Sequence, residues 1–135
     1  MSDALARVQE FCDLMVKRDA QLLRPFLADG AVYQNCGMAA NEGVDAILQN
    51  LAGQFVMFPD AYEYVMKSIA ANGDTVLTER LDLISTPTGV QGVPVMGTFV
   101  LENGKIRRWS DYFDTSLPKK MMTGEDVSSL VPRNY

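Results

Sequence analysis

The 135-residue sequence contains no histidine. That absence excludes Ser-His-Asp and Cys-His nucleophile systems, histidine-ligated metals and imidazole general bases. Catalysis by this chain must run on carboxylates, tyrosine, lysine or thiols. Cysteine is nearly as scarce: Cys12 and Cys36 are the only two. Two thiols make neither a disulfide framework nor a zinc site, and they point to a reducing cytoplasm. Positive charge is also short. With 12 Lys and Arg against 17 Asp and Glu the net charge is −5, which argues against a nucleic-acid partner, since phosphate binding needs clustered cations. Long hydrophobic runs are missing too. The longest, near Val93 to Leu101, is far too short to span a membrane. Asp3, Arg7, Glu10 and Asp13 leave no apolar segment for a signal peptide.

What is present is an ordinary globular balance, 47% hydrophobic and 21% charged, fitting a single domain over 1–135. No repeat, low-complexity tract or linker divides it. The first half reads helical. Leu5, Val8, Cys12 and Met15 recur every three or four residues behind an N-cap at Ser2 or Asp3. Cys12 thus falls on an apolar stripe as plain core. A short second helix starts after Asp19 and is kinked or ended by Pro25. Val44, Ile47, Leu48, Leu51 and Phe55 give a third helix one apolar face. Between these helices a strand is expected at 31–35.

The second half reads as strands. Residues 61–71 run into a hairpin turn at Asn72-Gly73, and 75–86 return. A Pro/Gly turn at 87–92 precedes a strand near 93–101, and Asn103-Gly104 turns into 105–113. The expected class is α+β, with N-terminal helices on one face of a curved mixed or antiparallel sheet. The tail, 115–135, lacks strong periodicity. Its Met121, Met122, Val127, Leu130 and Val131 are candidates to cap the core or a pocket.

Strand alternation places residues i and i+2 on one face, which aligns several polar groups. Tyr33 and Asn35 share a face; Arg80 and Asp82 share one with Val76, Thr78 and Ile84; Asp111 shares one with Trp109 and Phe113. Taken alone, Arg80 and Asp82 read better as an exposed ion pair, with Leu77, Leu81 and Leu83 in the core. Tyr33 and Asn35 alone read as the end of an edge strand. Asp111 reads equally as a residue of a frayed sheet end and as a buried carboxylate needing a cation such as Arg80. Together they would form an enclosed Asp-Arg-Asp unit. In it, desolvation and mutual repulsion keep one carboxyl protonated while the other stays ionised. A phenol and an amide beside it would hold a water against the base.

These segments, YQN at 33–35, TERLDL at 78–83 and WSDYFD at 109–114, resemble the limonene-1,2-epoxide hydrolase family. The likeness runs in order over about residues 3 to 114. It implies the cone-shaped α+β fold of the nuclear transport factor 2-like (SnoaL-like) superfamily. In that fold a curved sheet and its helices enclose one deep, mainly apolar pocket, and the protein is usually a homodimer. It further implies that Asp111 deprotonates water held by Tyr33 and Asn35, that Asp82 protonates the epoxide oxygen, and that Arg80 bridges the two aspartates. Ser110 departs from the family pattern, where Arg stands. The expected function is cofactor-independent hydration of a lipophilic, terpene-like or cyclic epoxide to a vicinal diol, with no metal. Two rivals share the fold: an isomerase or cyclase of ketosteroid isomerase-like or polyketide cyclase-like type, and a non-catalytic binder of lipophilic ligands. If Arg80 and Asp82 face a pocket, Leu77, Leu81 and Leu83 face outward and offer the outer sheet face to a second copy.

Overall fold

A computed structural model of the chain describes residues 3–133; the N-cap reading at Ser2 lies outside them. Helix α1, Asp3–Asp13, buries Ala4, Val8, Phe11 and Cys12 along one stripe. Cys12 is core as expected, and burial, the largest influence on it, pushes its thiol pKa up to about 12. A 3-10 turn, Leu14–Lys17, leads to the expected short second helix, here a 3-10 helix over Ala20–Phe26. Asp19 caps it by accepting the Gln21 N–H at 3.1 Å. Pro25 sits in its last turn, and the helix stops one residue later.

Strand β1 spans Leu27–Asn35, four residues longer at its start than the apolar run suggested. A two-residue strand β2, Asn41–Glu42, precedes helix α2, Val44–Met57. Strands β3 (Tyr62–Asn72), β4 (Thr75–Thr86), β5 (Gly89–Glu102) and β6 (Lys105–Tyr112) follow, then helix α3, Ser116–Met122. The tail is thus partly helical; Met121 and Val127 are buried, whereas Met122 and Leu130 are exposed. No described helix is long and apolar enough to cross a membrane.

The six strands form one sheet in the order β2-β1-β6-β5-β4-β3. Strands β3 to β6 are an antiparallel meander, while β1 runs parallel to β6. The sheet is therefore mixed. Phe11 on α1 meets the sheet's inner face, its ring 5.2 Å from Trp109 and 6.2 Å from Phe99, both edge-on.

The expectation of a cone, a curved sheet enclosing a deep pocket, is not met. The sheet stays open: its two edge strands, β2 and β3, lie at opposite ends of the order and do not pair with each other. Closure requires continuous hydrogen bonding around a barrel with matched strand tilt and stagger. A two-residue edge strand cannot supply it. What the sheet and helices leave between them is a cavity of about 270 Å³.

Candidate active site

Strand β4 alternates Val76, Thr78 and Arg80 inward, and all three are 0% exposed. The exposed-ion-pair reading of Arg80 is thereby overturned, and Leu77 lies 50% exposed on the outer face. A buried guanidinium must use its donors. Arg80 uses all five. Its Nε donates to Asp82 Oδ1 at 3.0 Å, and its Nη2 to Asp82 Oδ2 and Asp111 Oδ2, each at 2.9 Å. Its Nη1 donates to Thr78 Oγ1 at 3.1 Å and to Asp111 Oδ1 at 3.2 Å. Lysine, with three donors around one atom, does not reproduce this planar fork. The two carboxylates hold the guanidinium's pKa well above its ordinary value, although burial, the largest single influence, acts the other way.

The aspartates are not equivalent. Asp111 accepts a third hydrogen bond at Oδ1, from the indole Nε1 of Trp109 at 2.8 Å. A carboxylate offers about four lone-pair sites, so the three bonds leave one open. Acceptor-only wiring of this kind suits an ionised group. Asp82, among the described residues, accepts from Arg80 alone, and its side chain retains 14% of its surface at the cavity. Burial lifts its pKa from 3.8 to about 6; Arg80 opposes the shift and the neighbouring Asp111 charge adds to it. One carboxyl is thus equipped to hold a proton and the other to take one.

Tyr33 and Asn35 reach the same cavity through the parallel pairing of β1 and β6, in which Tyr33 stands opposite Trp109 and Asn35 opposite Asp111. Tyr33 stacks on Trp109 with ring centroids 3.9 Å apart and donates its hydroxyl proton to Asn35 Oδ1 at 3.1 Å. Burial raises the phenol's pKa, so it stays neutral. All of the candidate residues except Arg80 line the cavity; Arg80 lies behind its wall and joins the two aspartates. The remaining wall is largely apolar, with Phe58, Ile84, Val93, Val95 and Phe113. A larger hollow of about 560 Å³ lies beside Leu81 and Gly92 under the C-terminal segment, and none of the candidate residues lines it.

Sequence reasoning missed two supports. Thr78 receives Arg80 and passes its own proton to the Gly97 carbonyl at 3.2 Å. Gly97 must lack a side chain: a Cβ there would lie 2.3 Å from Arg80 Nη1 and 2.5 Å from Asp111 Oδ1. A glycine inside a strand rich in β-branched residues was the available signal. Among the described residues, no group of three or more His, Cys, Asp or Glu is placed to hold a metal ion.

The family model of the limonene-1,2-epoxide hydrolase catalytic domain matches residues 2–122. The chain belongs to this family. It is 33% identical to epoxide hydrolase EphG of Mycobacterium tuberculosis over 111 residues, 79% of this chain and 70% of that one. A solved M. tuberculosis LEH-like epoxide hydrolase is similar in structure, with a TM-score of 0.76 and 27% identity, over 90% of this chain and 91% of that one. An NTF2-like protein of unknown function from Burkholderia pseudomallei has a TM-score of 0.80 at 15% identity, over 92% of this chain and all 100% of the other. That likeness shows the fold alone. The chain is an epoxide hydrolase of the limonene-1,2-epoxide type, whose reaction converts an epoxide to a diol. The isomerase, cyclase and binder readings give way to it.

Proposed function

We propose that the cavity binds a lipophilic epoxide and that the two aspartates divide the acid-base work in a single step. Asp111 takes a proton from a water held by Tyr33 and Asn35. The water oxygen bonds to one oxirane carbon as that carbon's bond to the ring oxygen breaks. Asp82 gives its proton to the departing oxygen, and Arg80 keeps both carboxyls in register. The step ends with the proton on Asp111 and none on Asp82; exchange through water after the diol leaves restores the start. Positioning and paired proton transfer supply much of the rate. The observation that carries this division is the asymmetry between the carboxylates, three hydrogen bonds on Asp111 against a raised pKa on Asp82.

An aspartate nucleophile would form an ester whose hydrolysis calls for a separate base. In the design that works this way the base is histidine, and this chain has none. The test is one turnover with enzyme in excess in heavy-oxygen water. The diol should carry the label in that turnover, with inversion at the attacked carbon and no change in the protein's mass. Unlabelled diol with label on an aspartate would overturn the mechanism.

The substrate's lipophilicity follows from the apolar wall. The described C-terminal segment joins the same domain, with Thr115, Pro118 and Lys119 closing one side of the cavity. Two unpaired cysteines fit a reducing cytoplasm. The outer sheet face carries Leu77, Val90, Met96 and Tyr112, each at least half exposed, with Met96 and Tyr112 neighbours in register. A homodimer through this face would cover them.

A further inference from the structure

A second polar cluster, joined to the first by a hydrogen bond between Gln54 and Tyr33, lines the cavity, and the proposed mechanism gives its two tyrosines no task. Strand β3 places Tyr64 opposite Asp82 and Tyr62 opposite Ile84. Both tyrosines are 6% exposed, and both line the cavity with Gln54 of α2. The direction of every hydrogen bond among them can be assigned. Gln54 Nε2 donates to Asn50 Oδ1 at 2.7 Å, so its Oε1 is the atom that accepts the Tyr62 hydroxyl proton. A phenol has one proton. In the 3.2 Å contact between the two hydroxyls, Tyr64 is therefore the donor and Tyr62 the acceptor. Both phenol protons point along the relay, and the second Gln54 Nε2 proton serves the hydrogen bond to Tyr33, whose own proton goes to Asn35. The open positions toward the cavity are therefore acceptors, on the Tyr64 oxygen and Gln54 Oε1. Burial raises the pKa of both phenols, so neither gives up its proton near neutrality.

The cluster is held rigidly. Phe55 packs edge-on against Tyr62 with centroids 5.0 Å apart, and the Arg80 guanidinium carbon lies 4.4 Å from the Tyr64 ring centroid. A purely hydrocarbon guest would strip water from these acceptors and return nothing, leaving buried polar groups unpaired. Phenylalanine at both positions would serve such a guest better.

We infer that the Tyr62–Tyr64–Gln54 cluster is a subsite for a substrate hydroxyl, so that the preferred substrates are epoxides carrying an alcohol elsewhere on the skeleton. The inference rests on the hydrolase reading above and deepens it. A hydroxyl donates to the open acceptors, whereas a ketone at the same carbon has no proton to give. Sites built around a hydrogen bond to the substrate discriminate against analogues that lack the group.

The experiment compares kcat/KM for 1-methylcyclohexene oxide, each of its ring-hydroxylated regioisomers and the matching ketones. At least one alcohol should exceed the hydrocarbon epoxide by tenfold or more, and its ketone should not. Tyr64→Phe keeps the ring and removes one acceptor, so the ratio of alcohol to hydrocarbon should fall by about threefold or more. Tyr64→Phe with Tyr62→Phe and Gln54→Met, which removes every acceptor of the cluster, should bring it to within about twofold of one. Tyr62→Phe frees the Tyr64 proton toward the cavity, so the ketone should gain relative to the hydrocarbon. Turnover of all three without discrimination, or a preference that survives the triple variant, overturns this inference alone. No turnover of any of them overturns the hydrolase reading and this inference with it.

Discussion

Gly97→Ala tests the packing around Arg80 more sharply than removing any charged group. The added Cβ would stand 2.3 Å from Arg80 Nη1, 2.5 Å from Asp111 Oδ1 and 3.0 Å from Thr78 Oγ1. Ordinary contact needs about 3.5 Å, so the guanidinium and the carboxylate must each retreat by about 1 Å. Neither has room: Arg80 is 0% and Asp111 2% exposed, and Trp109 holds Asp111 from the far side. The Arg80–Asp111 bonds, at 3.2 and 2.9 Å, stretch beyond hydrogen-bonding range. Breaking a buried ion pair costs about 3–5 kcal/mol, which for a domain of this size lowers Tm by roughly 10 °C or more. Displacing the base by about 1 Å costs on the order of 100-fold in kcat. The assays are a thermal melt by circular dichroism and kcat at saturating epoxide. Gly92→Ala is the comparison, because its clash falls on the Leu81 side chain, away from the charges; it should lose stability with a much smaller loss of kcat. A Gly97→Ala protein melting within about 2 °C of wild type with unchanged kcat would show that the Arg80–Asp111 pair does not depend on the missing side chain at 97.

Asp82→Asn and Asp111→Asn should each lower kcat by at least 1,000-fold, an order-of-magnitude figure for losing a positioned acid or base, while circular dichroism spectra remain native; near-normal rates in both would remove the acid-base assignment. The pH dependence has a definite sign. Asp82 must be protonated to act, so kcat/KM should fall as pH rises through about 6, and a rate rising there would contradict its role as acid. The raised folded pKa also means that the native state holds this proton more tightly than the unfolded chain does. Stability from this group is present below about 3.8 and is lost as pH climbs to about 6, by about 3 kcal/mol; urea melts of Asp82→Asn should show a flatter slope across that window. Light scattering at micromolar concentration should report a dimer, and Leu77→Glu with Met96→Glu should convert it to monomer. Alkylation of the native protein should spare Cys12, whose thiol pKa is about 12; rapid labelling there would show that α1 opens.

Local signals carried much of the architecture. Asn103-Gly104 is the two-residue turn its composition indicated, with φ of 53° and 77°. Asn72-Gly73 slipped by one: Asn72 pairs with Thr75, so the loop is Gly73-Asp74, with Gly73 at φ 61°. The β5 strand begins at Gly89, not near 93, because Gly92 and Pro94 are poor strand formers that happen to be tolerated there. Pro94 pairs with Leu81 on one side, while pairing with β6 begins only at Met96, so no second partner needs its missing donor. Alternation alone favoured the wrong face of β4, since Leu77, Leu81 and Leu83 made the better core on sequence and Arg80 with Asp82 the better exposed pair, whereas Arg80 is buried and Leu77 exposed. Burial of Arg80 depends on Asp111, 31 residues away, and on a small residue at 97. The openness of the sheet was not legible either, because it is a property of how strands are ordered across the whole chain.

The parallel contact between β1 and β6 joins the first strand of the chain to the last, and that closure dictates when the enzyme comes into being. A lengthening polypeptide makes Arg80 and Asp82 neighbours early, on a hairpin that can assemble locally. Tyr33 and Asn35 have only the two-residue β2 on one side of their strand until residues 105–112 arrive, and Asp111 arrives in that same segment. Until then a guanidinium destined for complete burial lacks one of its two counter-charges, so the centre of the sheet has little reason to desolvate. Pairings of such long sequence separation are slow to form because their loop-closure entropy precedes any reward. The last strand is therefore both the keystone of the fold and the carrier of the base, and no partly made chain has both a finished sheet and a reactive site. A circular permutant opened between β3 and β4 at Gly73-Asp74 would move this dependence elsewhere along the chain, making the order in which structure and activity appear an experimentally adjustable trait.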